Sequence, residues 1–442
     1  MKRFQKDVDP TLTRRSILSL PVRLAATAAL TGVGSSILGA NEQVQIAIMG
    51  IGRRGPVLID EFAHQPNCRI VAVCDVYRTA LDRAVAQVEK LQGRRPKAYQ
   101  DVRQLLADKD IDAIAIVAPN HWHALTTIWA CQAGKDVYVE KPACFNIWEG
   151  PRMLEAMRKY GRMVQVGSQS RSIGHKIRAI QLLREGAIGK VYMARGLCFK
   201  PRNTIGHTPD IAVPDGIDWD LFRGPAPMRP FSMNRFQYNW HWFWDTGNGD
   251  IGNQGVHELD IARWGLNRSE WPKEVRATGG KCVYQDDQET PNTLMATFDY
   301  GDCQLVFEVR GLPTNPEENM LIGDLFYGSE GFMAVDVNGF RVYHGEDRKK
   351  VMDEPFREGK AWDTGPHLAS FLKAVKSRNL NDLNAPLAEG VLSANLCHLA
   401  NISYRTGRTL KIDPLTGALG DPEAEGLLRR EYRAPYVVPE RA

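Results

Sequence analysis

Residues 44–55 read VQIAIMGIGRRG, an apolar run of strand type that passes directly into glycines with the spacing GxGxxG. A helix-like stretch follows, so Gly50, Gly52 and Gly55 lie where a strand turns into a helix. A second apolar run ends in Asp75, twenty residues beyond Gly55. This order of strand, glycine turn, helix, strand and acidic residue is typical of a βαβ unit that binds a dinucleotide.

The chemistry of a dinucleotide explains why each of these residues is needed. The three glycines permit a tight turn and let the backbone approach the pyrophosphate, while the N-terminus of the helix stabilises its charge. Asp75 can accept a hydrogen bond from the ribose 2′-hydroxyl, and its carboxylate would repel a 2′-phosphate. We therefore predict NAD as the cofactor.

Two alternatives to an NAD site remain open. NADP stays possible because an arginine near the adenosine could neutralise a 2′-phosphate, and Arg53, Arg54 and Arg78 are candidates for this contact. The second alternative is that the glycine-rich turn has a structural role only and binds no ligand.

Strand-like and helix-like segments go on alternating through residues 113–139, which predicts a parallel, doubly wound α/β sheet. Ligands gather beyond the carboxyl ends of the strands in such a sheet. Asn120 and His123 follow one of these strands, and Glu140 follows the next. We therefore expect these three residues beside the nicotinamide half of the cofactor.

Several motifs taken in order give the sequence a resemblance to the glucose-fructose oxidoreductase, inositol dehydrogenase and MocA family: Gly50 to Gly55, Asp75, Pro119-Asn120-x-x-His123, Glu140-Lys141-Pro142 and, further on, residues 249–260, GDIGNQGVHELD. The resemblance runs from about residue 44 to about residue 413. It implies an N-terminal Rossmann domain and a C-terminal α/β domain whose open, mostly antiparallel sheet covers the nicotinamide. It also implies a sugar or polyol substrate and self-association into a dimer or tetramer.

The resemblance further implies two catalytic residues. Lys141 would bond the hydroxyl that becomes a carbonyl, and His257 would exchange the proton. A lysine beside a cationic nicotinamide should have a lowered pKa, which suits a proton acceptor near operating pH.

One position departs from the family pattern. Dehydrogenases of the family have an aspartate four residues before the histidine, where this chain has Asn253, with Asp250 three residues earlier. On a regular helix Asp250, Asn253 and His257 would share one face, and we predict that Asp250 and Asn253 contact the substrate. An amide cannot accept a proton as a carboxylate does, so the reaction subtype stays open.

Three further residues are predicted to bind substrate. Gln169 and Arg171 follow a short strand in a region that enters the cleft in the family, although Arg171 could instead be a surface arginine that caps a helix end. Trp240 stands in an aromatic run, residues 238–244, and an aromatic face suits the apolar side of a pyranose. The Pro- and Gly-rich residues 201–231 predict an ordered excursion near the cleft or a subunit contact.

Composition excludes several other classes of function. The net charge is +4, but residues before 41 hold six basic and two acidic side chains, which leaves 50 of each sign in the body. No basic footprint for nucleic acid remains. The eight cysteines form no CxxC, and the histidines at 121, 123 and 257 lack a compact ligand set, so we predict no metal.

The N-terminal residues have the pattern of a secretory signal. Residues 13–18, TRRSIL, precede an apolar, Ala-rich run at 20–40, the layout of a twin-arginine signal. We expect export to the periplasm, with cleavage of the signal left open and no other membrane domain. The predicted division is a signal at 1–40, a Rossmann domain at 41–165, a substrate and oligomerisation domain with return helices at 166–413, and a polar tail at 414–442.

Export restricts the chemistry, because no free NAD pool outside the cytoplasm could recharge the enzyme. We expect a tightly bound NAD(P) that takes a hydride from a sugar or glycoside and is recycled in each cycle. The leading alternative is a redox-neutral glycoside hydrolase, which oxidises, eliminates, hydrates and re-reduces its substrate. Further alternatives are a sugar sensor with a vestigial nucleotide site and a conventional cytoplasmic sugar dehydrogenase.

Overall fold

The computed structural model describes residues 43–356 and 363–442. The predicted signal segment therefore lies outside the described residues. Two sheets organise the described chain, and no helix within these residues is long and apolar enough to cross a membrane.

The first sheet has six parallel strands in the order β3-β2-β1-β4-β5-β6, which confirms the predicted doubly wound fold. Its strands are β1 (Val44–Met49), β2 (Cys68–Cys74), β3 (Lys97–Tyr99), β4 (Ala113–Ile116), β5 (Asp136–Val139) and β6 (Val164–Val166). Its helices are α1 (Gly55–Ala63), α2 (Arg78–Gln92), α3 (Val102–Ala107), α4 (Asn120–Gln132) and α5 (Glu149–Lys159). The central strands β4 and β5 are buried along their whole length because helices cover both faces of the sheet.

The second sheet has nine strands in the order β14-β13-β12-β11-β7-β10-β9-β8-β15, and only β7 and β10 pair in parallel. Its strands are β7 (Val191–Cys198), β8 (Glu274–Gly280), β9 (Thr293–Asp299), β10 (Gln304–Arg310), β11 (Ile322–Gly328), β12 (Gly331–Asp336), β13 (Gly339–His344), β14 (Lys349–Pro355) and β15 (Leu410–Lys411). The remaining helices are α6 (Gly174–Arg184), α7 (Trp219–Arg223), α8 (Val256–Gly265), α9 (Gly365–Ser377), α10 (Leu387–Thr406) and α11 (Pro422–Gly426). The mostly antiparallel second domain is thus also confirmed.

Helices cover one face of the second sheet. Leu259 of α8 and Leu399 of α10 join strand residues such as Phe307 in one core. On the opposite face, alternate side chains are exposed, among them Tyr192 and Met295. Self-association through this open face remains a prediction.

Two later segments of the chain return to the first domain. Leu368 and Phe371 of α9 pack with Ile46 of β1, so the second half of the chain covers one face of the first sheet. The terminal residues that the sequence separates as a polar tail also pack there, since Tyr436 and Val438 are buried in the core that contains Trp122.

Candidate functional site

A cavity of about 1130 Å³ lies beyond the carboxyl ends of the parallel strands and is lined by both domains. This is where ligands bind in open α/β sheets. The glycine turn lines one part of it, and residues of the second domain line another. Of the predicted residues, these line it: Gly50, Gly52, Arg53, Arg54, Asp75, Asn120, His123, Glu140, Lys141, Gln169, Trp240, Asn253 and His257.

The glycine turn has the geometry that a pyrophosphate needs. Gly50 has a φ of +89°, and a Cβ there would lie 2.6 Å from the carbonyl carbon of Val117. A Cβ on Gly55, which does not itself line the cavity, would lie 2.3 Å from the carbonyl oxygen of Gly50. A Cβ on Gly52 would meet no protein atom within 4 Å. Gly50 and Gly55 therefore allow the chain to turn, while the backbone at Gly52 stays open to a ligand.

Asp75 holds the glycine turn in place at the end of β2. Its Oδ2 accepts a hydrogen bond from the amide of Ile51 at 2.5 Å, and its Oδ1 accepts one from the amide of Tyr77 at 2.8 Å. Burial raises the pKa of Asp75, although these two hydrogen bonds oppose the shift. The carboxylate lies in the cavity as predicted, and it also fixes the backbone around the site.

Two of the three predicted arginines line the cavity, and the third does not. Arg53 lines the cavity with its guanidinium 4.9 Å from the ring centre of Tyr238. Arg54 donates from Nε to Glu140 at 3.2 Å. The structure does not bring Arg78 into this cavity, because its guanidinium turns to Gln100 at 2.8 Å and lines a separate, smaller cavity.

Arg83, also on α2, lines the main cavity and was not predicted. It follows Arg78 by more than one helical turn, so the two side chains leave α2 in different directions. The direction in which α2 faces the cavity is set by its packing on the sheet, which the sequence spacing alone does not reveal.

The loops after β4 and β5 are tied together beside the cavity. The ring nitrogens of His123 lie 2.8 Å from the carbonyl oxygen of Ala118 and 2.7 Å from that of Pro142. Burial lowers the pKa of His123. Asn120 donates from its side chain to Asn248 at 2.8 Å. These hydrogen bonds set the positions of both loops.

Glu140 joins the first domain to the predicted substrate region. Its Oε1 accepts from Arg54 and, at 3.4 Å, from the side chain of Gln169. A Cβ on Gly167 would lie 2.8 Å from Glu140 Oε2, so a larger residue there would displace this carboxylate. Glu140 therefore anchors residues around the cavity.

Lys141 reaches across to the second domain. Its Nζ donates to the backbone carbonyl of Asn253 at 2.7 Å. Burial lowers the pKa of Lys141, and the nearby charge of Arg54 acts in the same direction while Glu140 opposes it. The shift makes the neutral amine, which can accept a proton, more accessible than in a solvated lysine.

The segment before His257 is not the regular helix that the spacing predicted. Residues Ile251–Gly255 form a π-helical turn, and α8 begins only at Val256. Asn253 and His257 nevertheless both line the cavity, and the side chain of Asn253 also donates to Asp250 at 3.4 Å, whereas Asp250 itself lies outside the cavity lining. The turn directs the carbonyl of Asn253 towards Lys141.

His257 lies in the first turn of α8 and lines the cavity. Its Nδ1 is buried and has no hydrogen-bond partner among residues 43–356 and 363–442. Burial, and next the charge of Lys141, hold the pKa of His257 well below its ordinary value. The lowered pKa favours the neutral imidazole, and the half-buried ring borders the cavity.

Asp250 does not line the cavity, contrary to the prediction. Both of its oxygens bond Arg202, at 2.8 Å to Nε and 2.5 Å to Nη2. Asn253 does line the cavity, and its side chain donates to the hydroxyl of Tyr238 at 3.0 Å. Asp250 is thus held by an arginine 48 residues away, a pairing that the local spacing could not reveal.

Arg171 is also absent from the cavity, and it is not a surface residue either. It is buried and makes a two-point ion pair with Asp260, at 2.7 and 2.9 Å, and a further hydrogen bond to Glu389 at 3.0 Å. This arginine therefore joins α8 to α10 instead of binding substrate.

The aromatic run contributes to the part of the cavity wall that the second domain provides. Trp240 lines the cavity as predicted and stacks on His241 with 3.6 Å between ring centres. The wall also includes side chains that the sequence did not single out, namely Lys200, Gln237, Tyr238 and Gln254. Tyr238 belongs to the aromatic run already noted, whereas Lys200 carries no local signal in the sequence.

A metal does not account for this arrangement in the part of the chain that is described. Within residues 43–356 and 363–442, no group of three or more His, Cys, Asp or Glu side chains could hold a metal ion. The histidine of the HWH stretch at position 121 is buried beside the carbonyl oxygen of Phe222, at 2.9 Å, away from any such group.

Comparison with known protein families agrees with this geometry. Residues 44–168 match an oxidoreductase family with an NAD-binding Rossmann fold, and residues 196–438 match the C-terminal α/β domain of an oxidoreductase family. The second match extends beyond residue 413, where the resemblance was expected to end, and includes the packed C-terminal residues.

Individual relatives are more distant. A glycosyl hydrolase family 109 protein of Shewanella putrefaciens is 28% identical over 169 residues, which cover 36% of this chain and 36% of that protein. An alpha-N-acetylgalactosaminidase of Shewanella oneidensis is 24% identical over 182 residues, or 39% of this chain and 40% of the relative. The chain thus aligns with little more than a third of the length of these relatives.

Solved structures share the fold over most of the chain. The WlbA dehydrogenase of Chromobactrium violaceum, in complex with NADH and UDP-GlcNAcA, has a TM-score of 0.64 and 19% identity, covering 85% of this chain and 97% of that one. An aldose-aldose oxidoreductase of Caulobacter crescentus, complexed with glycerol, has a TM-score of 0.61 and 20% identity, covering 84% and 100%. Identities this low establish the fold alone.

Proposed function

This chain belongs to the glucose-fructose oxidoreductase, inositol dehydrogenase and MocA family of NAD-binding oxidoreductases, and from that premise we propose that it oxidises a hydroxyl group of a sugar or glycoside. The observation that carries the proposal is the single cavity that contains the glycine turn at one end and both Lys141 and His257 in its wall. Bound NAD supplies the hydride acceptor. The residues of the chain must then hold the sugar and remove the hydroxyl proton.

Lys141 is the proposed proton acceptor. Its lowered pKa favours the neutral amine, and its Nζ already points towards the second domain, where the sugar would bind. His257 is the proposed partner, because its imidazole lines the cavity and its lowered pKa favours the neutral ring, which can hydrogen-bond a sugar hydroxyl and exchange its proton. Gln169, Asn253 and Trp240 are proposed to orient the sugar ring.

The retention of NAD is supported by the segment of residues 201–236, which we call the cover segment. It leaves the second domain and reaches the turn after β2, where Arg78 donates from its amide to Gly216 at 2.9 Å. Asp218 donates from its amide to Val76 at 2.9 Å. The cover segment thus crosses the side of the cavity that contains Asp75 and agrees with the predicted ordered excursion near the cleft.

Packing holds the cover segment against the first domain. Trp219 stacks on Phe222 with ring centres 4.9 Å apart, and both belong to an aromatic cluster with Phe236. Trp122 of α4 donates from Nε1 to the carbonyl of Leu221 at 3.0 Å. Because this contact must break before the cavity opens on that side, we propose that bound NAD leaves slowly.

Slow release suits the proposed location in the periplasm. A protein exported by the twin-arginine route would have to carry its NAD with it and restore it within each cycle. A second sugar that is reduced in turn would complete such a cycle. Fractionation of cells that express the full chain should place the protein in the periplasmic fraction, and recovery in the cytoplasm alone would contradict this location.

Redox-neutral glycoside hydrolysis is the second candidate. Two observations favour it, namely the relatives described as glycosyl hydrolases and the replacement of the expected aspartate by Asn253. Oxidation of a ring hydroxyl would acidify the neighbouring C–H bond, after which the aglycone leaves, water adds and the sugar is reduced again. Both candidates begin with the same hydride transfer.

The experiment that tests the proposal uses the protein as purified, without added cofactor. After gel filtration and denaturation, we expect close to one NAD(H) per chain. Mixing the intact protein with a panel of sugars should change the absorbance of the bound nicotinamide, whereas nitrophenyl glycosides should release nitrophenol only if hydrolysis occurs. A chain that contains and binds no dinucleotide would contradict the proposal.

A further inference from the structure

The geometry points to an anionic sugar, one with a carboxylate or phosphate group, as the substrate, bound through Lys200. This inference rests on the proposed function and specifies its substrate class. It comes from the distribution of charge in the wall of the cavity that the second domain provides.

Lys200 follows β7, a strand inside the nine-stranded sheet, and its backbone is fixed on both sides. The amide of Phe199 donates to Leu321 at 2.7 Å, and the amide of Arg202 donates to Gly311 at 2.8 Å. The side chain of Lys200 is exposed and lines the cavity. An ammonium group is thus presented to the cavity from a rigid support.

Two acidic side chains that line the cavity, and Asp250 beside it, already have other partners. Asp250 bonds Arg202 through both oxygens. Glu140 accepts from Arg54, and Asp75 accepts from two backbone amides around the glycine turn. No ion pair of Lys200 occurs within residues 43–356 and 363–442.

The positive charge of Lys200 is therefore not neutralised by the protein. Arg53 and Arg54 belong to the glycine turn, where the cofactor phosphates are expected, Arg83 lines the cavity from α2 of the first domain, and Lys141 is the proposed proton acceptor. Lys200 has neither task. A negatively charged group on the sugar would supply the missing partner, and a charge-assisted hydrogen bond in a partly enclosed cavity is stronger than one in open solvent.

The neighbouring side chains suit the remainder of such a sugar. The Tyr238 hydroxyl receives hydrogen bonds from Asn253 and from Arg202, which leaves its own proton free to donate. Gln254 and Trp240 line the same wall and offer an amide and an aromatic face. Together with Lys200, these hydroxyl-binding groups and one ring face match a sugar that has a single acidic group.

Matched sugars test the inference on the holoenzyme. The compounds to compare are glucose, glucuronate and glucose 6-phosphate, which differ mainly in the acidic group. The same three forms of galactose and of mannose are tested beside them. We expect one uronate or phosphate to reduce the bound nicotinamide with a kcat/KM at least about tenfold above its neutral parent, the size of one charge-assisted hydrogen bond. Whether the uronate or the phosphate is preferred identifies the group.

Two variants and one control assign the effect to Lys200. Lys200→Gln should lower the preference for the anionic sugar by about tenfold or more, mainly through KM, because it removes one charged hydrogen bond. Lys200→Arg should restore most of the preference. Lys90→Gln, at an exposed lysine on α2 far from the cavity lining, should leave it unchanged.

Failure of the inference and failure of the proposed function give different results. Nicotinamide reduction by neutral sugars, with no anionic preference and no change in Lys200→Gln, would overturn the inference and leave the oxidoreductase function intact. Calorimetric binding of glucuronate that Lys200→Gln abolishes, without reduction by any sugar, would support the anion site and overturn the proposed reaction.

Discussion

Alanine substitutions at Gly50 and Gly52 should separate the folding role of the glycine turn from its binding role. At Gly50 the φ of +89° disfavours an L-residue, and the new Cβ would lie 2.6 Å from the carbonyl carbon of Val117, where ordinary contact begins near 3.4 Å. The left-handed conformation costs about 1–2 kcal/mol for a residue with a Cβ. Displacement of the loop adds to this, so we expect Gly50→Ala to lower the free energy of unfolding by at least about 2 kcal/mol.

Gly52→Ala is the matched control, because its Cβ would meet no protein atom within 4 Å and its φ is not positive. The free energy of unfolding should change by less than about 0.5 kcal/mol. The added methyl group would nevertheless stand where the backbone is open to the cofactor, so NAD affinity should fall by at least about tenfold, or about 1.4 kcal/mol.

Urea unfolding and the NAD released from denatured protein measure the two effects. The unfolding of each variant is compared after removal of bound NAD, so that the ligand does not contribute to stability. Wild-type NAD content and affinity in Gly52→Ala would refute the assignment of this turn to the pyrophosphate. An unchanged free energy of unfolding in Gly50→Ala would refute the backbone geometry on which the argument rests.

Four further predictions concern the catalytic lysine, a buried ion pair and the cover segment. Lys141→Met should retain NAD but lower kcat by about 10²–10⁴-fold, the usual contribution of a general base; an unchanged kcat would contradict its role. Because burial lowers the pKa of Lys141, oxidation should rise with pH to a plateau with its midpoint below the ordinary 10.5, and a midpoint at or above that value would contradict the shift. Arg171→Leu removes the two-point ion pair of the buried Asp260, which keeps only Ser393 and the more distant Arg263, and should destabilise the fold by about 3 kcal/mol in urea unfolding, whereas a raised KM at full stability would instead indicate substrate contact. Gly224→Ala would put a Cβ 2.2 Å from the indole of Trp122 and so displace the cover segment. Stopped-flow should therefore record faster NAD release, and an unchanged rate would show that the cover segment does not control NAD release.

The sequence predicted the first domain well because its signals are local. The glycine turn requires particular residues at adjacent positions, and Asp75 follows from the fixed length of one βαβ unit. Lys141 and His257 were located by short motifs that end a strand and begin a helix, and both line the cavity. The mixed sheet of the second domain was implied by family resemblance rather than by periodicity.

The sequence could not predict contacts that form only in the folded chain. Asp250 and Arg171 are polar residues in plausible positions, yet partners 48 and 89 residues away hold them outside the cavity. The π turn before α8 brings the carbonyl of Asn253 to Lys141, and no residue type in the sequence indicates this turn. The sequence around Lys200 does not distinguish it from the other lysines, and it lines the cavity because it follows β7 in the folded chain.

Isotope transfer from sugar to cofactor tests the central claim most directly. A sugar substrate that has deuterium on the carbon to be oxidised is mixed with NAD-loaded protein for a single turnover. The dinucleotide is then released by denaturation, and its mass is measured by mass spectrometry. We expect reduced NAD with one deuterium per molecule in the wild type and far less in Lys141→Met. Formation of the oxidised sugar without deuterium in the dinucleotide would contradict hydride transfer to the bound NAD.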